Sequence, residues 1–478
     1  MFVARESELG KLKKIAEKQK SSFLAVYGRR RIGKTAIIRH FCQINEINKI
    51  EFSGKVNQTK AQQITSFVRN IERIANKKNH ETIQDWNNAF YLLTTFIDSL
   101  SDKDKVVIFF DELPWIDTAK SGFLAELATF WNDFCWQRKN IILIVCGSAA
   151  SYMLKKVIHN KGSLHGRLTD IMPMQQFDLN ASKQMLVAEG CRYSNKSIVD
   201  TYMILGGVAK YIESLDCKKT PSESINDLCF TNDALLKYEY EDLFSSLFNN
   251  SKVHYRIMNV LSAKWSGYNK IGLAQLVKVS TAYIKKPVDE LLASGFISTT
   301  TRFNQTKRDV IYRATDCFSS FYNKWMINNR DLSFHNIVNT QGYKSWAGFA
   351  FENICHMHIH HIKKILGISG VPIKSHYWNY IAKNTTDTGA QIDLLLEHVN
   401  GSKNIDIIEC KYYSDVYTLS KSYKQAMQTK INIFNQQTNF KYNIRLIFIT
   451  SHGMEKNEHY NEIVNLDINI KDIIETKI

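Results

Sequence analysis

Gly28-Arg29-Arg30-Arg31-Ile32-Gly33-Lys34-Thr35 spells G-x-x-x-x-G-K-T. An apolar run, Phe23 to Tyr27, precedes it, and a helix-forming run, Ala36 to His40, follows. Strand, glycine-rich turn and helix together make a phosphate cradle. The glycines let the backbone wrap an anion, and amides at the helix start point at it. Lys34 reaches the β and γ oxygens, and the Thr35 hydroxyl can ligate Mg²⁺. The pattern predicts that residues 28–35 bind the phosphates of ATP.

A second apolar run, Val106 to Phe110, ends in Asp111-Glu112, 77 positions after Lys34. Such a sheet carries its acidic motif at a strand tip. Asp111 is expected to hold Mg²⁺ and Glu112 to orient or deprotonate the attacking water. A third run, Ile141 to Cys146, ends in Gly147-Ser148, and Ser148 falls where the γ-phosphate would be sensed. Fully apolar strands alternating with helices imply a parallel sheet covered on both faces.

The 478 residues are too many for one ordinary domain. An apolar fraction of 44% belongs to a globular chain with real cores. Charge appears at once after Met1, so no secretory leader is expected, and the longest apolar runs are too short to span a bilayer. Nine cysteines without C-x-x-C spacing indicate neither a disulfide framework nor a zinc knuckle. A cytoplasmic protein without a membrane partner is the expectation. Of the net charge of +16, residues 251–330 contribute +9, from 13 Lys/Arg against 4 Asp/Glu. An excess so concentrated suggests a polyanion footprint, and DNA is the partner expected.

Four domains are expected: an ATPase core at 1–178, a helical lid at 179–250, a third block at 251–330 and a final α/β unit at 340–478. The third block reads as three helices and a hairpin around Arg302, Lys307 and Arg308, a winged helix-turn-helix pattern. Its third helix is expected over 281–294, or from Lys285-Lys286 if Pro287 sits in the first turn.

Five segments resemble the archaeal-type ATPase family, a branch of the AAA+/STAND P-loop ATPases. They are Phe-x-x-Arg-Glu-x-Glu-Leu at 2–9, Tyr-Gly-Arg-Arg-Arg-Ile-Gly-Lys-Thr at 27–35, Phe-Asp-Glu at 110–112, Cys-Gly-Ser at 146–148 and Gly-Gly-Val-Ala-Lys-Tyr at 206–211. The resemblance implies that the 2–9 box and the Gly206-Gly207 segment flank the adenine. The chain departs from the family at Ala4, where glycine is usual, and at Ala209, where proline is usual. Arg167 falls where such ATPases often carry an arginine that senses the γ-phosphate.

Near the C-terminus, Asp393 is followed sixteen positions later by Glu409-Cys410-Lys411 at the end of an apolar strand. Alternation puts Glu409 and Lys411 on one face. Two carboxylates for Mg²⁺ or Mn²⁺ and an amine to activate water are the parts of phosphodiester hydrolysis. The pattern resembles the PD-(D/E)xK nuclease superfamily, a restriction-endonuclease-like fold seen at the C-terminus of many archaeal-type ATPases. Glu352 on the preceding helix would support the metal shell. His356, His358, His360 and His361 follow Glu352, and a solvated helix face is preferred over a zinc site.

The leading expectation is an ATPase acting on DNA, with a metal-dependent nuclease domain. The alternative is a STAND-type regulatory ATPase whose later domains only bind DNA or protein. A protein-remodelling chaperone is disfavoured by the localised charge. A homo-oligomer is compatible with either reading, but the sequence does not specify one.

Overall fold

The computed structural model describes residues 2–78, 82–248, 250–304, 310–329, 332–382 and 388–478, with the backbone alone at Asp393. Lys307 and Arg308 lie outside the described residues. The chain divides into two units, Met1–Gln176 and Phe177–Ile478.

The first unit is built on five parallel strands: β1 (Ser22–Tyr27), β2 (Asn48–Ser53), β3 (Val106–Asp111), β4 (Ile141–Gly147) and β5 (Asp170–Pro173). Their spatial order is β2-β3-β4-β1-β5. Phe23, Ile108, Phe110, Leu143 and Val145 feed one buried core, while Leu24, Val26, Val107, Phe109 and Ile144 feed another. Every residue of β3 and β4 is buried, as a sheet sandwiched by helices requires. The order has a functional consequence. Strand β4 lies between β1, which leads into residues 28–35, and β3, which ends at Asp111.

The second unit begins with helices, among them Leu179–Ala188 and Asn195–Leu205. Cys191 and Cys217 form a disulfide there, although their spacing in the sequence suggested no pairing. Three helices follow, Lys252–Ala263, Lys270–Val277 and Lys285–Ala293. The last starts at Lys285, so Pro287 sits in its first turn, where the missing amide costs no hydrogen bond. After the two-residue β6 (Tyr268–Asn269), an antiparallel hairpin is made by β7 (Ile297–Arg302) and β8 (Val310–Ala314).

This hairpin does not stand alone. The C-terminal strands are β9 (Ile373–Tyr380), β10 (Ala390–His398), β11 (Asn404–Lys411), β12 (Asn443–Thr450) and β13 (Leu466–Asn469). Thr301 and Arg302 of β7 pair in parallel with His376 and Tyr377 of β9. One eight-stranded sheet, β13-β12-β11-β10-β9-β7-β8-β6, therefore crosses the 330–340 link. The helix Lys421–Gln437 joins β11 to its parallel neighbour β12. None of the described helices is long and apolar enough to cross a membrane.

The histidine cluster corrects an expectation. His358 is 1% exposed, and its Nε2 accepts the Leu179 amide at 2.9 Å. His361 is buried against Asp178 at 3.1 Å, and His356 lies 2.9 Å from Arg313. Only His360 of the four is exposed. The Glu352 helix ends at Met357 and another runs Ile359–Ile365, so the four histidines share no single helix face; three of them meet partners distant in sequence, and no metal-holding group of three or more His, Cys, Asp or Glu occurs among the described residues.

Candidate functional site

In the first unit, Gly28 to Gly33 form the turn between β1 and the helix Lys34–Ile44. Gly33 has φ +97°, and a side-chain carbon there would meet nothing within 4 Å. The space above it is open, as a phosphate cradle needs. Arg31 also takes a left-handed backbone, with φ 70°. The Arg30 guanidinium lies 5.8 Å from the centre of the Trp115 ring. Arg29 and Ile32 are buried.

Lys34 turns back onto the loop, donating to the carbonyls of Gly28 (2.9 Å) and Arg29 (2.8 Å) and to Ser148 Oγ (3.0 Å). The Ser148 hydroxyl in turn donates to Glu112 Oε1 at 2.5 Å, and its amide donates to Oε2 at 3.2 Å. One strand over, Thr35 Oγ1 donates to Asp111 Oδ2 at 2.7 Å. Glu112 has φ 49° and ψ 51°, a left-handed turn that swings it off the strand direction. The sheet order thus brings together Lys34, Thr35, Asp111, Glu112 and Ser148, which come from three separate stretches. Burial raises the Asp111 carboxyl above its usual range, and the neighbouring Glu112 charge adds to the rise, against the Thr35 hydrogen bond. A divalent cation beside it would restore the charged form.

Thr35 and Asp111 therefore fit a Mg²⁺ site, being adjacent oxygen donors of the hard type this ion takes. Arg167 is not drawn into the network. It donates to Asn132 Oδ1 at 3.0 Å and to the His165 carbonyl at 3.2 Å. Arg5, in the 2–9 box, is a contributor that motif reading passed over. It is 7% exposed and donates to the carbonyls of Ile32 (3.0 Å) and Gln175 (2.9 Å), so it braces the phosphate loop. Its sequence signal is its place as a specified position of that box.

A second cluster lies in the second unit. Glu409, at the end of β11, meets Lys411 at 3.1 Å and Lys430 at 2.9 Å and accepts the Tyr423 hydroxyl. Burial alone would raise its carboxyl, but Lys430, Lys411 and Tyr423 together hold it below the usual range. Tyr423 and Lys430 are seven residues apart on one helix face, whereas Lys424 turns to Glu462. Lys430 was not singled out from the sequence, and this helical spacing from Tyr423 is the signal that would have found it.

Glu352 lines the same 820 Å³ cavity as Glu409 and Lys411. Arg313 of β8 pairs with it at 2.9 Å. Burial raises the Glu352 carboxyl, Arg313 opposes the rise, and the Glu409 charge adds to it. Leu394 is opposite Ile408 in the β10–β11 ladder, and the pairing of β10 with β9 shifts register between Ile392 and Leu395, the span that holds Asp393. The Asp393 side chain lies outside the described residues.

Residues 2–215 match a family described as an ATPase domain predominantly from Archaea. This segment is similar to archaeal-type ATPase domains. An uncharacterised protein of Methanocaldococcus jannaschii is 24% identical over 457 residues, covering 88% of this chain and 92% of its own. Among solved structures, the Walker-type ATPase of Pyrococcus abyssi aligns at 15% identity and TM-score 0.49, over 67% of this chain and 96% of its own. The ORC2 protein of Aeropyrum pernix aligns at 12% identity and TM-score 0.46, over 71% and 96%.

Proposed function

We propose that this chain is an ATP-hydrolysing protein that acts on DNA, with its ATPase domain coupled in one polypeptide to a metal-dependent nuclease domain. The observation that carries the hydrolytic part is the Lys34–Ser148–Glu112 chain of hydrogen bonds beside the Thr35–Asp111 pair. In this reading Lys34 leaves its loop carbonyls for the γ-phosphate. Ser148 holds Glu112 in place, and Glu112 takes up the proton of the attacking water. Bound Mg²⁺ would supply charge neutralisation on the phosphates, and Thr35 and Asp111 would hold it.

The DNA part rests on the charge of residues 251–330 and on their three helices and hairpin, read as a winged helix-turn-helix. Lys285 and Lys286 are exposed at the start of the third helix, where phosphate contacts are expected. In the nuclease reading Asp393 and Glu409 hold the metal, Lys411 positions the nucleophile and Glu352 supports the shell.

A regulatory reading, in which the C-terminal domain only binds, is favoured by one observation. Glu409 already satisfies its charge with two lysines and a tyrosine. A cleavage assay separates the two readings: supercoiled, linear and single-stranded DNA with Mg²⁺ or Mn²⁺, with and without ATP. Metal-dependent cleavage lost in Asp393→Ala supports the nuclease. Uncut DNA under every condition leaves the regulatory ATPase.

A further inference from the structure

Outside the phosphate loop, the ATPase unit holds a cavity of 710 Å³ between β2, at the sheet edge, and the helix Lys60–Ala75. Its charged lining is lopsided, with Arg39, Lys49, Lys55, Arg69 and Arg73 against the single carboxylate Glu51. That carboxylate is already shared. Arg39 Nε stands 3.1 Å from both of its oxygens, and Lys49 bonds it as well. The other three cations meet no acid among the described residues. Lys55 donates to Ser66 at 3.4 Å, Arg73 to Asn70 at 3.0 Å, and Arg69 is exposed.

Like charges gathered in a groove repel one another unless an anion joins them. Arg69 and Arg73 are one helical turn apart, about 6 Å along the axis, so they track an extended anion rather than converge on one phosphate. The aromatic floor, Phe67 and Trp86, is buried in the core and offers no ring face for a base to stack on. The chemistry that fits is a chain of phosphates recognised without regard to sequence.

The same groove backs onto the catalytic turn. Ser53 of β2 pairs with Asp111, and the Gly54 amide donates to the Asp111 carbonyl at 2.9 Å. A side-chain carbon on Gly54 would lie 2.6 Å from the Glu112 carbonyl oxygen, so no slack separates the two segments. Gln63, 4% exposed, donates to the carbonyls of Lys55 (2.6 Å) and Trp115 (3.0 Å). A pull on Lys55 is thereby carried to the backbone on either side of Glu112.

We infer that the β2 groove binds the phosphodiester backbone of a nucleic-acid strand, and that its occupancy alters ATP turnover through Gly54 and Glu112. The inference rests on the DNA-acting ATPase reading above but assigns the contact to a different surface.

The test uses the full chain, a labelled DNA oligonucleotide as single strand and as duplex, and two charge-reversal variants. Arg69→Glu/Arg73→Glu should bind about 10-fold or more weakly at low salt. Its log–log salt slope on the single strand should be shallower by roughly 1.4, at ~0.7 per lost phosphate contact. Basal ATP turnover should match the parent, and the change in turnover on adding DNA should disappear. Should charge reversal unfold the unit, Arg69→Gln/Arg73→Gln decides, with a smaller loss of the same sign. DNA binding and response that fall only in Lys285→Glu/Lys286→Glu would overturn the groove and leave the proposed function intact. No DNA binding by the parent would sink both. Inorganic triphosphate displacing the oligonucleotide equally well, phosphate for phosphate, would assign the groove to free polyphosphate and overturn the nucleic-acid strand.

Discussion

Ser148 accepts from Lys34 and donates to Glu112, so one hydroxyl joins the cation proposed for the γ-phosphate to the carboxylate proposed for water. Replacing it with alanine removes hydrogen bonds to charged groups, each worth ~1.5–3 kcal/mol. Turnover in Ser148→Ala should fall on the order of 10-fold or more, with ATP affinity nearly unchanged. Parent turnover combined with weakened ATP binding would instead assign Ser148 to ground-state binding. Glu112→Gln should keep ATP bound while the chemical step slows on the order of 10²-fold or more, since only the proton acceptor is lost. Lys34→Ala should lose binding as well. Radiolabelled single-turnover assays separate these outcomes. The phosphate loop and the acidic pair were legible because each motif is contiguous. Their bridge through Ser148 was only half legible, because nothing local reveals that β4 lies between β1 and β3. Ala4 shows the same limit. Its departure from the family's glycine is visible in the sequence, but the φ of 57° that explains the glycine is not. Ala4→Gly should relieve about 1 kcal/mol of left-handed strain and raise the melting temperature slightly.

Helices are read from periodicity, and periodicity says which face is apolar but not what covers it. The run from His356 to His361 looked solvated because its partners, Asp178 and Leu179, come from a stretch about 180 residues earlier. Burial lowers the His358 pKa to about 4, the Ile354 carbonyl opposing the shift. The unfolded chain takes up this proton near pH 6.5, and the folded chain only near 4. His358 therefore gives its full stability above about pH 6.5 and loses it as pH falls toward 4, by as much as ~3 kcal/mol. Asp178 pulls in the same direction. Burial would raise its carboxyl, but the His361 hydrogen bond and the Ala181 amide lower it on balance, so its share is lost at still lower pH. Calorimetry of the full chain at pH 7.5, 6 and 4.5 should show the transition that melts this helix junction shifting down with acid. In His358→Gln, which keeps an acceptor for the Leu179 amide without titrating, that shift should be much smaller. An equal shift in the variant would exclude His358 as the source.

At the scale of the whole chain, the element types of the C-terminal half were largely legible, whereas their union into one sheet was not. Nothing in residues 297–302 announces that β7 will pair with β9 about 75 residues later. A fragment cut at residue 330 would bare that β7 edge, which the full chain covers. Residues 251–330 alone should therefore associate or stay partly unfolded, whereas 177–478 should melt as a soluble unit. A soluble, cooperatively folding 251–330 fragment would show the β7–β9 pairing to be dispensable.

That sheet also frames the nuclease question. Glu409 cannot accept a metal while Lys430 and Lys411 both hold it, so a working site needs one amine to yield. Lys411 is the amine the nuclease reading reserves for the nucleophile, which leaves Lys430 as the one displaced. Lys430→Met should then tighten Mn²⁺ binding several-fold, read by titration calorimetry, and leave cleavage intact or faster. Lys411→Ala should abolish cleavage while still binding the metal, and Asp393→Ala should lose both. In the binding-only reading the pair of lysines is the finished state of Glu409. Lys430→Met would then leave a buried carboxylate short of a partner and lower the melting temperature, with no gain in metal affinity. The Mn²⁺ affinity of this one variant thus separates the two readings, rising under the first and unchanged under the second, whether or not the right DNA substrate is in the tube.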